Sequence, residues 1–358
     1  MVCRFNPSQF VRRMREVGGL AFENAPRVAP LGTPALPAII PFIDHKYRRF
    51  TTLNEPVVAV SLFEVVNLAT GELHVRTREE LAARFLVPSG AAVVLSGVGK
   101  DPAIERWWEL ANRSALLDGL RQLGITLVTA PNYSVLNDVP RTDNLHAMKR
   151  ILLAWSEMAA AGLPAALHVN ARTEHDYTRW GNLILARPEI DILAFEFATG
   201  CGRDGRIDWH VAQLCRMARF VGRPLSLVIR GGGRRLNELR EHFAQVALLE
   251  TDAFTRTHRR RRAYFNESGR LRWAHFPTPP GGALDDLLAH NVALVRADYE
   301  AKARRPRQLS TFALPARRPA AHRNSEALQP SLLSNLNLPG EAGAVAPERQ
   351  RMIAAAKS

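Results

Sequence analysis

An alternation of short apolar runs with helical segments is the feature that most constrains how this chain can fold. Eight short runs rich in β-branched and other apolar residues are separated by stretches with helical periodicity. Such alternation is typical of parallel βα units, in which each helix returns the chain to the start of the next strand. The strands are predicted at residues 38–43, 57–62, 92–98, 126–132, 165–171, 192–198, 225–230 and 245–250.

The helices predicted between these strands complete the fold class. They lie at residues 78–85, 104–123, 144–161, 177–186, 210–221 and 236–243, and a further amphipathic helix is predicted at 284–302. Gly124, Gly162 and Gly222 follow three of them directly, where glycine commonly ends a helix. Eight strands with helices between them predict an α/β protein with a (β/α)8-like, TIM-type barrel, since closure leaves no sheet edge exposed. No helix is evident between the first two strands, so we expect irregularity at the first unit; an open doubly wound sheet is the alternative.

Charge and composition divide the chain into three predicted parts. These are an N-terminal extension at residues 1–36, a barrel-like domain at 37–302 and a disordered basic tail at 303–358, which is rich in Ala, Arg, Ser and Pro. The formal net charge is +14, and residues 301–358 contain ten Lys or Arg against three Asp or Glu. A basic chain favours anionic partners, so we expect a phosphorylated small molecule or nucleic acid.

Cysteine content and hydropathy indicate the compartment. The three cysteines are too few and too irregularly spaced for a disulfide framework or a cysteine-based zinc site, which points to a reducing environment. No apolar run approaches the roughly 18 residues of a membrane span, and residues 1–16 carry arginines without the apolar stretch of a signal peptide. We therefore expect a cytoplasmic protein without a membrane partner.

Polar residues at the predicted strand ends identify candidate catalytic groups. In a (β/α) barrel the active site lies at the carboxyl ends of the strands, and alternate residues of a strand point into the barrel. His168 and Asn170, Glu196, and Arg230 all alternate with large apolar residues that would face the helices. A carboxylate, an imidazole and a guanidinium at one mouth could supply acid–base catalysis and an anion clamp. The alternative is a structural ion pair between Glu196 and Arg230.

Two loops after strands hold the candidate binding residues. After the fourth strand, a long polar loop contains Asn132, Asp138 and Arg141, although such residues also serve as ordinary turn formers. After the seventh, the chain reads Arg230, Gly231, Gly232, Gly233, Arg234, Arg235 before a helix. Glycines let backbone N–H groups approach an anion, and many barrels hold phosphate near this place. The alternative is a flexible turn flanked by solvated arginines.

Other patterns contribute less. No spacing of His, Cys or acidic residues demands a metal, so the sequence predicts neither a metal site nor a cofactor. Residues 255–262 form the strongest basic run outside the tail. This run is either a solvated surface or a contact to the phosphate backbone of a nucleic acid. Beyond it, Glu267, Ser268 and Gly269 form a predicted turn between two short β-like runs.

Several of these segments together form a recognisable pattern: residues 130–134, the following Asp138, Pro140 and Arg141, and residues 168–171 and 196–200. In these segments the sequence resembles an uncharacterised family of bacteria and mobile elements, the domain of unknown function four-four-one-seven. The similarity covers about residues 37–291. The resemblance implies that these residues form a shared pocket or core and that plasmid or phage genes are the natural context; it implies no activity.

Three functions are consistent with the sequence. The first is an enzyme that binds a phosphate-bearing or nucleotide-like ligand at the barrel mouth, with Glu196 as general acid or base, His168 and Asn170 orienting the substrate, and Arg230 with the glycine loop holding the anion. The second is a non-catalytic, nucleic-acid-associated protein of a mobile element. The third is a glycosidase-like hydrolase with Glu196 and Glu250 as paired carboxylates, which requires carboxyl groups about 5 to 10 Å apart.

Overall fold

The computed structural model describes residues 7–45, 48–111, 113–199, 206–279 and 281–304. The described residues all belong to one compact unit. Cys3, Cys201 and nearly all of the predicted basic tail lie outside the described residues. Among the described helices, none is both long and apolar enough to cross a membrane.

Eight parallel strands form the central sheet. Their order is β1-β10-β9-β8-β7-β6-β5-β2, with each neighbouring pair parallel. The strands in chain order are β1 (Ile39–Pro41), β2 (Val57–Ser61), β3 (Val66–Asn67), β4 (Glu72–Leu73), β5 (Ala92–Ser96), β6 (Leu127–Thr129), β7 (Ala165–His168), β8 (Ile192–Glu196), β9 (Ser226–Arg230), β10 (Gln245–Glu250), β11 (Arg261–Phe265) and β12 (Leu271–His275). β3 pairs with β4 and β11 with β12 in two small antiparallel hairpins.

The sheet is nearly closed into a barrel. Phe42, just after β1, makes a parallel bridge to Ala59 of β2, and the Ile43 N–H donates to the Ala59 carbonyl at 2.9 Å. This joint links the two edge strands of the sheet. The predicted TIM-like α/β barrel is therefore confirmed, together with its eight strands.

Helices lie between the strands and on the outside of the sheet. They are α1 (Pro7–Glu16), α2 (Leu62–Val65), α3 (Arg78–Phe85), α4 (Asp101–Glu109), α5 (Arg113–Gln122), α6 (Arg141–Ala160), α7 (Glu174–Ala186), α8 (Ile207–Val221), α9 (Leu236–Arg240), α10 (Asp252–His258) and α11 (Asp285–Arg304). No helix joins β1 to β2 in the described residues, so the first unit is irregular. Gly124, Gly162 and Gly222 have φ of 65°, 80° and 69°, the left-handed conformation predicted for residues that end a helix.

One helix prediction was wrong. The single helix expected at 104–123 is two helices, because Leu110 takes an extended conformation at the end of α4. The Arg113 side chain donates to the carbonyls of Trp108 and Leu110 at 2.8 and 3.1 Å. These bonds satisfy carbonyls that a continuous helix would have satisfied internally, which stabilises the break.

The core has two layers, and they place the candidate site. A small interior cluster fills the barrel: Ile40, Ala59, Val94, Leu127, Ala166, Ile192, Ala194, Val228, Ala247 and Leu249. A much larger cluster lies between the sheet and the helices. Because residues of a strand alternate between faces, the residue two places after each interior member also points inward, toward the carboxyl-terminal mouth.

The segment before β1 packs on the outer helices. Arg13 of α1 donates to Asp143 of α6 at 2.5 Å, and the rings of Phe22 and Trp180 of α7 stack with centroids 4.7 Å apart. The buried ammonium of Lys149 donates to the Ala21 carbonyl. This segment is thus anchored to α6 and α7.

The β11–β12 hairpin and α11 are the last elements of the described residues. Asn291 of α11 is fully buried and accepts a bond from the Ala263 N–H at 2.8 Å. Its amide donates to the Arg261 carbonyl at 2.9 Å and to the Thr257 hydroxyl at 2.8 Å. Asn291 therefore ties the hairpin to both α10 and α11.

Candidate active site at the barrel mouth

A layer of polar side chains closes the interior of the barrel at its carboxyl-terminal mouth. Ser96, Thr129, His168 and Glu196 each follow an interior apolar residue by two positions, and all four are buried. Arg230 follows Val228 in the same way, at the end of β9. Three strands adjacent in the sheet, β7, β8 and β9, thus place His168, Glu196 and Arg230 at one end of the barrel.

Glu196 and Arg230 face each other across neighbouring strands. Their Cα atoms are register partners, and Glu196 Oε2 lies 3.6 Å from Arg230 Nη1. Glu196 Oε1 accepts a hydrogen bond from the Ala198 N–H at 2.6 Å, whereas the buried Oε2 has no hydrogen-bond partner in the described residues. Burial raises the pKa of Glu196, and Arg230 and the backbone N–H groups of Ala198 and Thr199 partly offset that shift.

Arg230 connects the buried cluster to solvent. Its side chain is 26 % exposed, whereas that of Glu196 is 2 % exposed. The guanidinium carbon lies 5.2 Å from the centroid of the Phe42 ring. Both residues line a cavity of about 390 Å³. The remaining lining residues are Asp44, Thr251, Phe254, Thr255, His258 and Arg259. An incoming ligand can therefore reach Arg230 without displacing the core.

His168 is a neutral member of the cluster. Its Nε2 lies 3.2 Å from the hydroxyl of Thr129, which in turn accepts from the Gly97 N–H at 2.9 Å. Burial and the positive charge of Arg230 lower the pKa of His168 to about 3. His168 therefore stays unprotonated near neutral pH and can orient a group by hydrogen bonding, but it cannot carry a stable positive charge.

Asn170 and Asn132 hold two loops together beside this cluster. The Asn170 amide donates to Asn132 Oδ1 at 2.5 Å and to the Tyr133 carbonyl at 2.8 Å. Both asparagines are half-buried, after the ends of β7 and β6. The structure brings them together, and the bonds fix the relative position of the two loops.

Asp138 and Arg141 make no hydrogen bond or ion pair with His168, Glu196 or Arg230 in the described residues. Asp138 is exposed in the loop before α6. Arg141 forms an ion pair with Asp176, a fully buried residue in the first turn of α7. Asp176 also accepts bonds from the backbone N–H groups of Arg172 and Thr173, so Arg141 supports a helix start here.

The glycine loop after β9 lines a second cavity. Gly231 and Gly232 have φ of 74° and 68°, and a Cβ on Gly231 would come within 2.6 Å of the Ala198 nitrogen. Gly231, Gly232 and Gly233 border a space of about 580 Å³ between the loops that follow β9 and β10. The loop leads into one 3-10 turn and the five-residue α9, so a helix dipole contributes little there.

Glu250 also lines this cavity. It alternates with the interior residues Ala247 and Leu249, so it points away from the barrel interior, where Glu196 lies. Its oxygens accept from the backbone N–H groups of Asp252 and Ala253 at 2.6 and 3.1 Å. Burial raises the pKa of Glu250 to about 7. Opposite faces do not favour the pairing of Glu196 with Glu250 that a glycosidase needs.

A cluster that the sequence did not reveal lies after β1 and β2. His45 Nδ1 is 3.1 Å from Glu64 Oε2 and 3.4 Å from Asp44 Oδ1, so these three residues could hold a metal ion. The guanidinium of Arg84, however, lies 3.3 Å from His45 Nε2 and can only donate there. His45 then carries its proton on Nδ1 and donates to a carboxylate, which fits a hydrogen-bonded network better than a metal site. The acid at 64 is too distant in sequence for spacing to indicate this cluster.

No model of a known protein family matches the chain, and no curated protein matches its sequence.

Proposed function

We propose that this protein is an enzyme that binds a phosphate-bearing small molecule at the mouth of the barrel. Arg230 holds the anionic group, and Glu196 exchanges a proton with the ligand. The observation that carries the proposal is the placement of Arg230, which contacts a buried carboxylate on one side and an open cavity on the other.

The charges around the cavity support an anionic ligand. Arg230 and Arg259 both line it, and His258 adds a further nitrogen donor, whereas Asp44 is the acid among the lining residues. Guanidinium groups bind phosphate through paired N–H donors at fixed geometry. A phosphate on Arg230 would sit at the carboxyl ends of the strands, where barrel enzymes bind substrates.

Glu196 is coupled to this anion through Arg230. The guanidinium is one of the groups that limit the rise in the pKa of Glu196. An anion on Arg230 neutralises part of that charge, so the pKa of Glu196 rises further and the carboxylate takes up a proton. Ligand binding would thereby favour the protonated form of Glu196, which is the form that a general acid requires.

The neighbouring groups have supporting roles in the proposal. Neutral His168 accepts or donates a hydrogen bond without competing for the anion, and the Asn132–Asn170 pair holds the adjacent loops. The glycine loop and Arg234 line the 580 Å³ cavity, which borders Thr251, as does the 390 Å³ cavity. A ligand with a second polar part could extend between the two.

Three further expectations from the sequence stay proposals. They are membership of the domain of unknown function four-four-one-seven, a mobile-element context and a cytoplasmic location. None is needed for the mouth site, because the site rests on the contacts of Arg230 and Glu196.

Calorimetry with inorganic phosphate and with a nucleoside monophosphate tests the proposal. We expect binding of at least one of these probes, with proton uptake seen when the titration is repeated in buffers of different ionisation enthalpy. Arg230→Gln should abolish binding, and Glu196→Gln should bind without proton uptake. The matched control is Arg219→Gln on α8, an exposed arginine outside both cavities. Equal affinity of the Arg230→Gln and Arg219→Gln variants would refute the role of Arg230.

A further inference from the structure

The β11–β12 hairpin presents two different faces. Directly opposed residues share a face, so Ala263 and Trp273 lie on one side and Tyr264 and Arg272 on the other. Ala263 is buried and Trp273 is half-buried against the core. Tyr264 and Arg272 are exposed, so the side on which they lie is the outer face of the hairpin.

The hairpin and the two residues before it carry a concentrated positive charge. Six arginines lie between residues 259 and 276, against Glu267 as the one acid: Arg259, Arg260, Arg261, Arg262, Arg270 and Arg272. None of the six forms an ion pair with another described residue, although many arginines elsewhere in the described chain do. This charge is therefore available to an anionic partner.

Exposed aromatic rings lie among these arginines. Tyr264 is 45 % exposed and Phe276 is 38 % exposed. The backbone pairing continues to Phe276, whose N–H donates to the Arg260 carbonyl at 2.8 Å, and the Arg262 guanidinium lies 5.3 Å from the Phe276 ring centroid. Arg262, Tyr264, Arg272 and Phe276 thus form a strip on the outer face in which cations alternate with flat rings.

We propose that the outer face of the hairpin binds single-stranded nucleic acid. Arginines contact the phosphates, and Tyr264 and Phe276 stack with unpaired bases, which is how sequence-tolerant single-strand binders work. A duplex would leave the rings without bases to stack on, because its bases are already stacked with each other. The hairpin is firmly placed for this task, since buried Asn291 holds the backbone of β11 at Arg261 and Ala263.

Fluorescence anisotropy with labelled oligo-dT and oligo-U of about 15 nucleotides tests the proposal on the full chain. We expect Tyr264→Ala to weaken binding about 5- to 100-fold, and Tyr264→Phe to bind like the unchanged protein because the ring is kept. Arg262→Gln combined with Arg272→Gln should lower the slope of log affinity against log salt by about 1.4 between roughly 50 and 200 mM salt.

Matched controls lie on α8, away from the hairpin. Phe220 is 54 % exposed and Arg219 is exposed beside it, so Phe220→Ala and Arg219→Gln change the same chemistry elsewhere. Equal losses for Tyr264→Ala and Phe220→Ala would overturn the proposal. So would binding of duplex DNA, or of anionic lipid vesicles, that is as tight as binding of the single strands and equally sensitive to Tyr264→Ala.

Discussion

Single side chains in this barrel carry charges that burial makes costly, and Glu196 is the clearest case. It is almost fully buried, yet its nearest cation stands at 3.6 Å, beyond hydrogen-bond distance. Such a pair contributes little stability as a whole, but the removal of the cation alone strands a buried charge. The two halves of the pair should therefore respond differently to substitution.

We expect Arg230→Gln to lower the free energy of unfolding by about 1 to 3 kcal/mol near pH 8, less than for a fully buried pair because the Arg230 side chain is partly exposed. Glu196→Gln should change it by less than about 1 kcal/mol, because the amide oxygen can still accept the N–H of Ala198. In the Glu196→Gln background, Arg230→Gln should then cost less than about 1 kcal/mol. Urea unfolding of the two single variants and the double variant measures this coupling; additive losses would mean that the two residues do not interact.

Glu250 makes stability depend on pH. Its pKa is about 7 in the folded protein, so it binds a proton more tightly there than in the unfolded chain. The resulting stabilisation is complete below the unfolded pKa, near 4.5, and is lost as the pH rises through 7. Between about pH 5 and pH 8, the free energy of unfolding of the unchanged protein should fall by about 3 kcal/mol more than that of Glu250→Gln. Urea unfolding at the two pH values measures this difference. A pH-independent difference would show that the carboxyl is ionised throughout.

Individual loops and helix ends depend on local backbone requirements. The glycine loop after β9 packs against the end of β8, and both Gly231 and Gly269 of the hairpin turn have positive φ, 74° and 68°. A Cβ on Gly269 would meet nothing within 4 Å, whereas one on Gly231 would meet backbone at 2.6 Å. Alanine substitutions at these two positions therefore distinguish the cost of a left-handed backbone from the cost of a Cβ that has no room.

Gly269→Ala should cost about 1 kcal/mol of unfolding free energy, from the left-handed backbone alone. Gly231→Ala should cost about 3 kcal/mol or more, because the loop must also move away from Ala198. Thermal unfolding checks both variants. Similar losses at the two sites would mean that the loop after β9 yields easily.

The secondary-structure elements could largely be predicted from the sequence, whereas the contacts that connect them could not. β-branched runs and closing glycines such as Gly162 depend on neighbours in sequence, so the strands and most helix ends could be predicted. The break between α4 and α5 depends on Arg113 reaching back to two carbonyls, and the Asn132–Asn170 bond joins two loops. No pattern in the sequence records which distant groups meet in this way.

The same limit applies to the site. Alternation along β7, β8 and β9 predicted that His168, Glu196 and Arg230 share the interior face, because side-chain direction follows from position in a strand. It could not show that Arg141 turns to Asp176, or that His45 meets Glu64. Those contacts depend on loop paths that only the folded chain defines.

Across the whole molecule, buried histidines set the response to acid. Burial lowers the pKa of His146 and His210 to about 4 and that of His168 to about 3. Because the unfolded chain binds these protons near pH 6.5 and the folded protein does not, stability is lost as the pH falls below that value.

We expect each of the three histidines to contribute about 1.4 kcal/mol of lost stability per pH unit well below pH 6.5. Burial also raises the pKa of Glu250 and of Glu196, so proton binding by these two carboxylates has the opposite sign and offsets part of the loss above their unfolded pKa. Urea unfolding between about pH 6 and pH 4.5 should therefore show a fall in stability that His168→Asn makes shallower. An unchanged slope in that variant would place the acid sensitivity elsewhere.

The contact between β1 and β2 is the place where the barrel should open locally most readily. Phe42 and Ala59 form the one β-bridge between these strands in the described residues, whereas β8 and β9 are paired along five positions. Parting the edge strands breaks few bonds and leaves the other strands paired, so this fluctuation is cheaper than global unfolding. In deuterated solvent the amide hydrogen of Ile43 should exchange through this local separation of β1 from β2. The amide hydrogens of β8 and β9 should exchange only through complete unfolding.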